Sequence, residues 1–213
     1  DEFNKTNKLY NEERLIYRHL TFEKLIDYIE DILSERDYEF KYIIDDYREY
    51  CIEQGLIDDK YQLMKIFAAG DTLEINKKLN LYYRKATDSI YTDSLGMYKE
   101  KRVVCIGKIY KTVKAYMPED ELVILDGPQA TEEEKERIRY AILDAEKYGY
   151  NLRTIEHNFF LVENFEECDF PKTSKGGLLG GKIFKLEEDY GIKEIKNKTI
   201  KEIANELSKK SWE

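Results

Sequence analysis

Apolar residues recur in two different rhythms along this chain. From Thr21 to Gly55 they return every three or four positions, the spacing of one helix face. "TFEKLIDYIEDIL" places Leu25, Ile26, Ile29, Ile32 and Leu33 on one side, with Thr21 as the N-cap. "DYEFKYIIDDYREYCIEQG" repeats the pattern through Phe40, Ile43, Ile44, Tyr47, Cys51 and Ile52. It stops at Gly55, the residue type that tolerates the left-handed backbone after a last helical turn. "DDKYQLMKIFAAG" reads as a shorter third helix ending near Gly70. Three amphipathic helices with short turns predict a small helical domain over residues 1–70.

Beyond Gly70 the rhythm shortens and β-branched residues accumulate. "DTLEINKKLNLYYRKA" carries strand character through Leu73, Ile75, Leu79 and Leu81, without clean alternation. "LGMYKEKRVVCIGKIYKTVKAY" predicts two strands joined by a tight turn at Lys99–Lys101. Gly107 interrupts the second strand and marks a bulge or a close backbone approach. "ELVILDGP" is a further strand stopped by Asp126, Gly127 and Pro128. Thr131 and Glu134 form a capping-box signature at the head of "TEEEKERIRYAILDAEKYGY", as Thr199 and Glu202 do for "TIKEIANELSKK". "NFFLVENF" and "KIFKLEE" are two more strands, joined through "EECDFPKTSKGGLLGG". The order predicts an α+β fold: an N-terminal small helical bundle, then a curved, mainly antiparallel sheet or partial barrel over residues 71–213 with one or two packed helices.

Composition narrows the class. Charged residues make up 37% of the 213 and mean hydropathy is −0.68, which predicts a soluble, cytoplasmic chain with no membrane span. "DEFNKTNKLYNEER" has no apolar core of a signal peptide and no initiator Met, so the chain reads as a possible piece of something longer. Cys51, Cys105 and Cys168 contain no C-x-x-C pair and are expected to be free buried thiols. No cofactor and no metal are expected, since His19 and His157 lie far apart and away from the cysteines.

Charge distribution carries the functional signal. Net charge is −9, yet Asn80–Tyr116 holds eight basic and three acidic residues, a local net of +5. Tyr82, Tyr83, Tyr91, Tyr98, Tyr110 and Tyr116 alternate with those cations. Basic groups take phosphates and aromatic faces stack bases, so the mixture suits nucleic acid or another phosphate-bearing ligand. The plainer alternative is a sheet with half-buried tyrosines and lysines guarding its edges. The candidate contacts are Arg84, Lys85, Lys99, Lys101, Arg102, Tyr83 and Tyr98. Lys175 and Lys182 form a second cluster.

That second cluster lies in "GGLLGGK". Gly176, Gly181 and Lys182 satisfy G-x-x-x-x-G-K, but Ile183 stands where a P-loop needs Ser or Thr for Mg²⁺. The expected structure is a glycine-rich hairpin loop. Flanked by Lys172, Lys175 and Lys182, it also suits a backbone N–H nest for an anion. A metal-dependent nuclease would draw on Asp126, after the strand "ELVIL", with Glu194 and Lys196 of "EIK". The plainer reading makes Asp126 a turn residue and Glu194 a solvated one. "EECD" (Glu166, Glu167, Asp169) reads as an acidic loop, and His157 as a strand-edge histidine.

The stretch "GDTLEINKKLNLYYRKATDSIYTDSLGMYKEKRVVCIGKIYKTVKAY", with "FFLVENF" and "TSKGGLLGGKIFKL" after it, resembles the C-terminal region of uncharacterised prokaryotic proteins that carry an upstream PD-(D/E)XK nuclease-like domain. The likeness covers about residues 20 to 190. It implies a companion module of a DNA-processing or defence-type protein. In such proteins the nuclease acids lie upstream, and no segment of this chain matches them, so no catalytic residue carries over. The leading expectation is therefore a non-catalytic nucleic-acid- or phosphate-ligand-binding module. A metal-dependent nuclease and a protein-interaction domain with an acidic helical face are the alternatives. Expected partners are nucleic acid or a phosphate-bearing ligand, a protein partner, or the missing upstream nuclease domain.

Overall fold

The computed structural model describes residues 20–33, 38–57, 60–86, 90, 92–125, 129–178 and 180–213. The chain divides into two compact units, residues 1–57 and 58–213. The first contains helices α1 (Phe22–Ile32) and α2 (Tyr38–Glu53). The Thr21 hydroxyl accepts from the Lys24 N–H and starts α1 as expected. Gly55, at φ +66°, ends α2. There the Leu56 N–H reaches the Cys51 carbonyl at 2.8 Å and the Gly55 N–H reaches that of Ile52 at 3.0 Å, a Schellman close. The predicted apolar faces are only partly used. Ile26, Cys51 and Ile52 are buried, whereas Ile32, Phe40 and Ile43 are exposed.

The expected third helix is a strand. Leu63–Ala68 forms β1, paired in parallel with β3 and antiparallel with β7. Leu63, Met64, Ile66 and Phe67 are all buried. A strand covered on both faces shows a near-continuous apolar run that also fits helical spacing, and pairing with neighbours decides between them. The expected boundary at residue 70 rested on that helix, and the sheet unit begins before β1. The second correction runs the other way. Leu73–Leu79 is the short helix α3, closed by Asn80 at φ +48°, and only Leu81–Lys85 (β2) is extended.

The remaining elements are β3 (Ser94–Lys99), β4 (Arg102–Tyr116), β5 (Val123–Ile124), α4 (Glu132–Ala145), β6 (His157–Pro171), β7 (Gly181–Lys185), α5 (Leu186–Tyr190) and α6 (Ile200–Leu207). Both capping boxes are present, at Thr131/Glu134 and Thr199/Glu202. The sheet runs β2-β6-β4-β3-β1-β7, with β5 added to β4. Only the β1–β3 pair is parallel. This is the expected α+β class, with the sheet curled into a half-barrel. No helix among the described residues is long and apolar enough to cross a membrane.

Two long strands carry the curl. β4 and β6 are 15 residues each, and their register slips three times, between Val103 and Cys105, Gly107 and Ile109, and Ile109 and Lys111. Each slip adds local twist and bends the ribbon. Gly107 borders the second of these slips, and a Cβ there would lie 3.0 Å from both Phe165 and Val162. Both sequence readings of Gly107 therefore hold. The bend folds β2 toward β1: Tyr82 stacks on Phe67 with ring centroids 5.1 Å apart, and its hydroxyl donates to the Ala68 carbonyl.

The core lies in three sectors on this frame. One joins Met64, Ile66, Tyr98, Val103, Phe170 and Phe184 to Ile203, Ala204 and Leu207 of α6 and to Trp212. A second packs Val113, Ala115, Phe159 and Leu161 under Ile138, Ala141 and Ile142 of α4. The third lines the concave side with Phe67, Leu95, Met97, Cys105, Phe160 and Val162. Each fully buried large side chain contributes about 1.5–3 kcal/mol, well above the roughly 0–1 kcal/mol of an exposed ion pair. The apolar sectors, not the surface charges, hold the fold.

Candidate anion-binding end of the sheet

Strand directions bring distant residues to one end. β6, β3 and β1 finish there, while β4 and β7 begin there. Lys99 and Arg102 face each other across the β3–β4 turn. Glu100 and Lys101 form that turn at φ +50° and +60°. Two-residue hairpins favour this left-handed geometry but usually fill it with Asn and Gly. Here two charged residues occupy it, at a cost of roughly 1–2 kcal/mol per residue.

The glycine-rich segment crosses the same end. It is not a hairpin loop, because β6 and β7 do not pair with each other. The chain leaving β6 instead has to reach β7 past β4, β3 and β1, four inter-strand steps of about 4.8 Å each, and residues 173–178 and 180 lie on that passage. The Lys172 N–H donates to the Lys101 carbonyl at 2.7 Å and ties the crossover to the β3–β4 turn. Gly176 and Gly180 have φ of +93° and +72°, and a Cβ at Gly176, Gly177 or Gly180 would meet nothing within 4 Å. The loop is open toward solvent.

Trp212, the single tryptophan, closes the arrangement from the C-terminal side. It forms a bridge with Lys172, its N–H donates to Pro171, and its carbonyl accepts from the Thr173 N–H at 2.7 Å. The indole N–H donates to the Phe170 carbonyl at 3.2 Å. The Lys172 and Lys182 ammonium groups lie 5.3 and 5.2 Å from the indole centroid. Lys182 also donates to the main-chain oxygen of Glu213 at 2.7 Å, and Lys172 to Ser174.

Lys99, Lys101, Arg102, Lys172, Lys175 and Lys182 thus share one end, although they come from segments about 80 residues apart. Arg102 is paired with Asp169 at 3.0 Å. The side chains of Lys99, Lys101 and Lys175 have no hydrogen-bond or ion-pair partner among the described residues. The acidic residues on these segments are Glu100, Asp169 and Glu213, with Asp71 just beyond the end of β1.

The other expected residues are placed differently. Arg84 crosses the concave side and lies 5.3 Å from the Phe67 centroid, with Lys65 5.6 Å from the same ring. Lys85 pairs with His157 at the start of β6, more than a dozen positions along the strand from Arg102's partner Pro171. Tyr98 is buried, with its ring edge-on to Trp212 at 5.8 Å. Tyr83 packs against Phe159 and His157, and burial pushes its phenol up to about 12. Neither ring is an open stacking platform. Each faces inward because strand alternation turns it toward an apolar sector. Trp212 was not anticipated. A lone tryptophan beside the chain end, after "SKKS", was the available signal that the tail docks.

The remaining chemistry-bearing residues are engaged structurally. Burial pushes the Cys105 and Cys168 thiols up to about 12 and about 11, and Cys51 is buried too, so the three thiols are free and enclosed as expected. His157 Nδ1 lies 2.7 Å from the Ile155 carbonyl. The "EECD" acids belong to β6, not to a loop, because the strand runs through to Pro171. There Glu167 pairs with Lys77 and Glu166 accepts from Asn164. Of the nuclease trio, Asp126 lies outside the described residues. Glu194 caps a short 3₁₀ turn at φ +54°, and Lys196 lies 4.1 Å from the Tyr61 centroid. Among the described residues, no group of three or more His, Cys, Asp or Glu side chains is placed to hold a metal ion.

Neither a protein-family model, nor a curated protein, nor a solved structure matches the chain at a significant level.

Proposed function

We propose that this protein is a phosphate-binding module, acting on nucleic acid or another polyanionic ligand through the basic end of its sheet, without chemistry of its own. The proposal includes the wider setting implied by the sequence resemblance, a companion module of a DNA-processing or defence-type protein. One observation carries the reading. Two basic clusters from separate segments, Lys99–Arg102 and Lys172–Lys182, are joined by the backbone hydrogen bond from Lys172 to Lys101, and the indole of Trp212 gathers Lys172 and Lys182 within the second. A scattered set of edge-guarding lysines would not meet in this way. The two charged residues held at positive φ in the β3–β4 turn support it, since unrelieved backbone strain concentrates at functional sites.

The test is the variant Lys99→Glu/Lys101→Glu/Arg102→Glu, assayed by fluorescence anisotropy with a labelled duplex at about 50 mM salt. Affinity should fall by about 100-fold, because phosphate contacts are lost and like charges introduced. Unchanged affinity, with circular dichroism showing an intact fold, would overturn the reading.

A further inference from the structure

We infer that the basic end reads phosphate charge and not bases, so that its nucleic-acid ligand is a duplex bound independently of sequence. This rests on the proposed phosphate-binding role and concerns the kind of polymer that fits. Single-strand recognition combines a basic groove with open aromatic rings on which bases stack. The aromatic side chains at this end are already occupied. Trp212 is 4% exposed and Tyr98 7%. Phe184 meets the indole edge-on at 5.1 Å, Phe170 lies 6.4 Å away, and the Lys172 and Lys182 ammonium groups cover the ring. Tyr190 packs edge-on against Phe170 and Phe184. Among the described residues of this unit, the exposed tyrosines, Tyr110, Tyr140, Tyr148 and Tyr150, belong to the region around α4. Tyr110 hydrogen-bonds Glu134 of that helix, and Tyr148 and Tyr150 directly follow it.

What the end does present is charge and open backbone. Lys99 ends β3 half-exposed, Lys101 is exposed in the two-residue turn, and Lys175 is exposed on the crossover loop. The glycines of that loop leave its peptide groups approachable. Such donors contact phosphate oxygens and carry no base information. A duplex offers one negative charge per about 1.7 Å of axis, twice the density of one strand, so a compact set of cations meets more phosphates on it. The buried indole supports the site by holding Lys172 and Lys182 in place, and as the single tryptophan it reports on occupancy by its fluorescence.

The experiment uses the full chain and three labelled probes: a duplex of about 20 base pairs, its separated strands, and a duplex of unrelated sequence. Anisotropy is read from about 50 to 200 mM salt with Trp212 emission followed in parallel. The inference expects the two duplexes to bind within about twofold of each other and at least fivefold tighter than either strand, with a steeper loss with salt. Binding should shift or quench the indole emission. Tighter binding of a single strand, or strong dependence on base sequence, would overturn this inference while leaving the phosphate-binding reading intact. Binding with unchanged emission would place the ligand elsewhere and overturn it as well. Failure of every probe to bind would overturn the reading it rests on.

Discussion

β4 begins at the basic end of the sheet and finishes beneath α4, and lysine behaves differently at its two ends. Near α4 the cations are matched. Lys111 pairs with Glu134 at 2.7 Å and Lys114 with Glu156 at 2.8 Å. Arg153 bridges Asp120 and Glu146. Arg137 donates to the carbonyls of Leu79, Asn80 and Val162, holding the left-handed turn after α3. At the opposite end Lys99, Lys101 and Lys175 lack carboxylate partners, and the aromatic rings beneath are saturated by Lys172 and Lys182. The same residue type is a strut where acids answer it and a candidate contact where none does. The local charge excess between Asn80 and Tyr116 therefore overstates the ligand surface, since part of it is spent inside the fold.

That contrast can be broken first at its structural end. Glu134 is buried and accepts from Lys111, Tyr110 and the Thr131 N–H. Glu134→Ala should cost about 3 kcal/mol, the low end for a broken buried pair because Lys111 keeps some exposure. Thermal denaturation should then report a melting point lower by roughly 6–12 °C, with duplex affinity unchanged at temperatures where the fold persists. Loss of affinity with no loss of stability would invert the roles assigned to the two ends. The same group gives a pH test. Burial pushes the Glu134 carboxyl up, but the hydrogen bonds from Lys111, the Thr131 N–H and Tyr110 outweigh it and the net direction is down. A carboxyl lowered in the folded state contributes stability above its ordinary value of 4.5 and loses it as pH falls through the lower folded value. Glu134→Gln should therefore flatten the acid side of the stability profile, and an identical profile would count against the pair.

A smaller effect of the opposite sign is expected at the basic end. Glu100→Asn with Lys101→Gly fits the left-handed turn better and should raise stability by about 1–2 kcal/mol. It also removes a free cation, so the salt dependence of duplex binding should become shallower by about one unit of log–log slope. A variant that gains stability and keeps full binding would show the strained turn to be unrelated to ligand. The smallest effect belongs to an exposed strut. Lys114→Ala, with its partner Glu156 also solvated, should change stability by less than about 1 kcal/mol and leave binding intact. A clear loss of affinity there would extend the ligand surface along β4.

Thr21, Gly55, Thr131 and Thr199 fixed helix ends correctly because capping chemistry is local to a few residues. The β3–β4 turn at Glu100–Lys101 and the special role of Gly107 were legible for the same reason. The basic cluster around Lys99 was visible as charge, and Lys172, Lys175 and Lys182 as a glycine-flanked group. Their meeting was not, because it depends on a crossover between strands that are not neighbours. Whether Tyr83 and Tyr98 present open rings was not legible, since exposure depends on which face of the curled sheet each side chain takes.

The amino-acid order by itself determined the caps, the tight turn, the long β-branched strand, the buried thiols and the sign of charge in each segment. These follow from interactions within a few residues, or from side-chain chemistry that no neighbour alters. Only the tertiary structure decided that Leu63–Ala68 is a strand and Leu73–Leu79 a helix. It also decided that β6 and β7 lie four inter-strand steps apart and that Trp212 seats two lysines. Those outcomes depend on hydrogen-bond and packing partners supplied from tens of residues away, and an apolar run compatible with either period takes the form its partners allow.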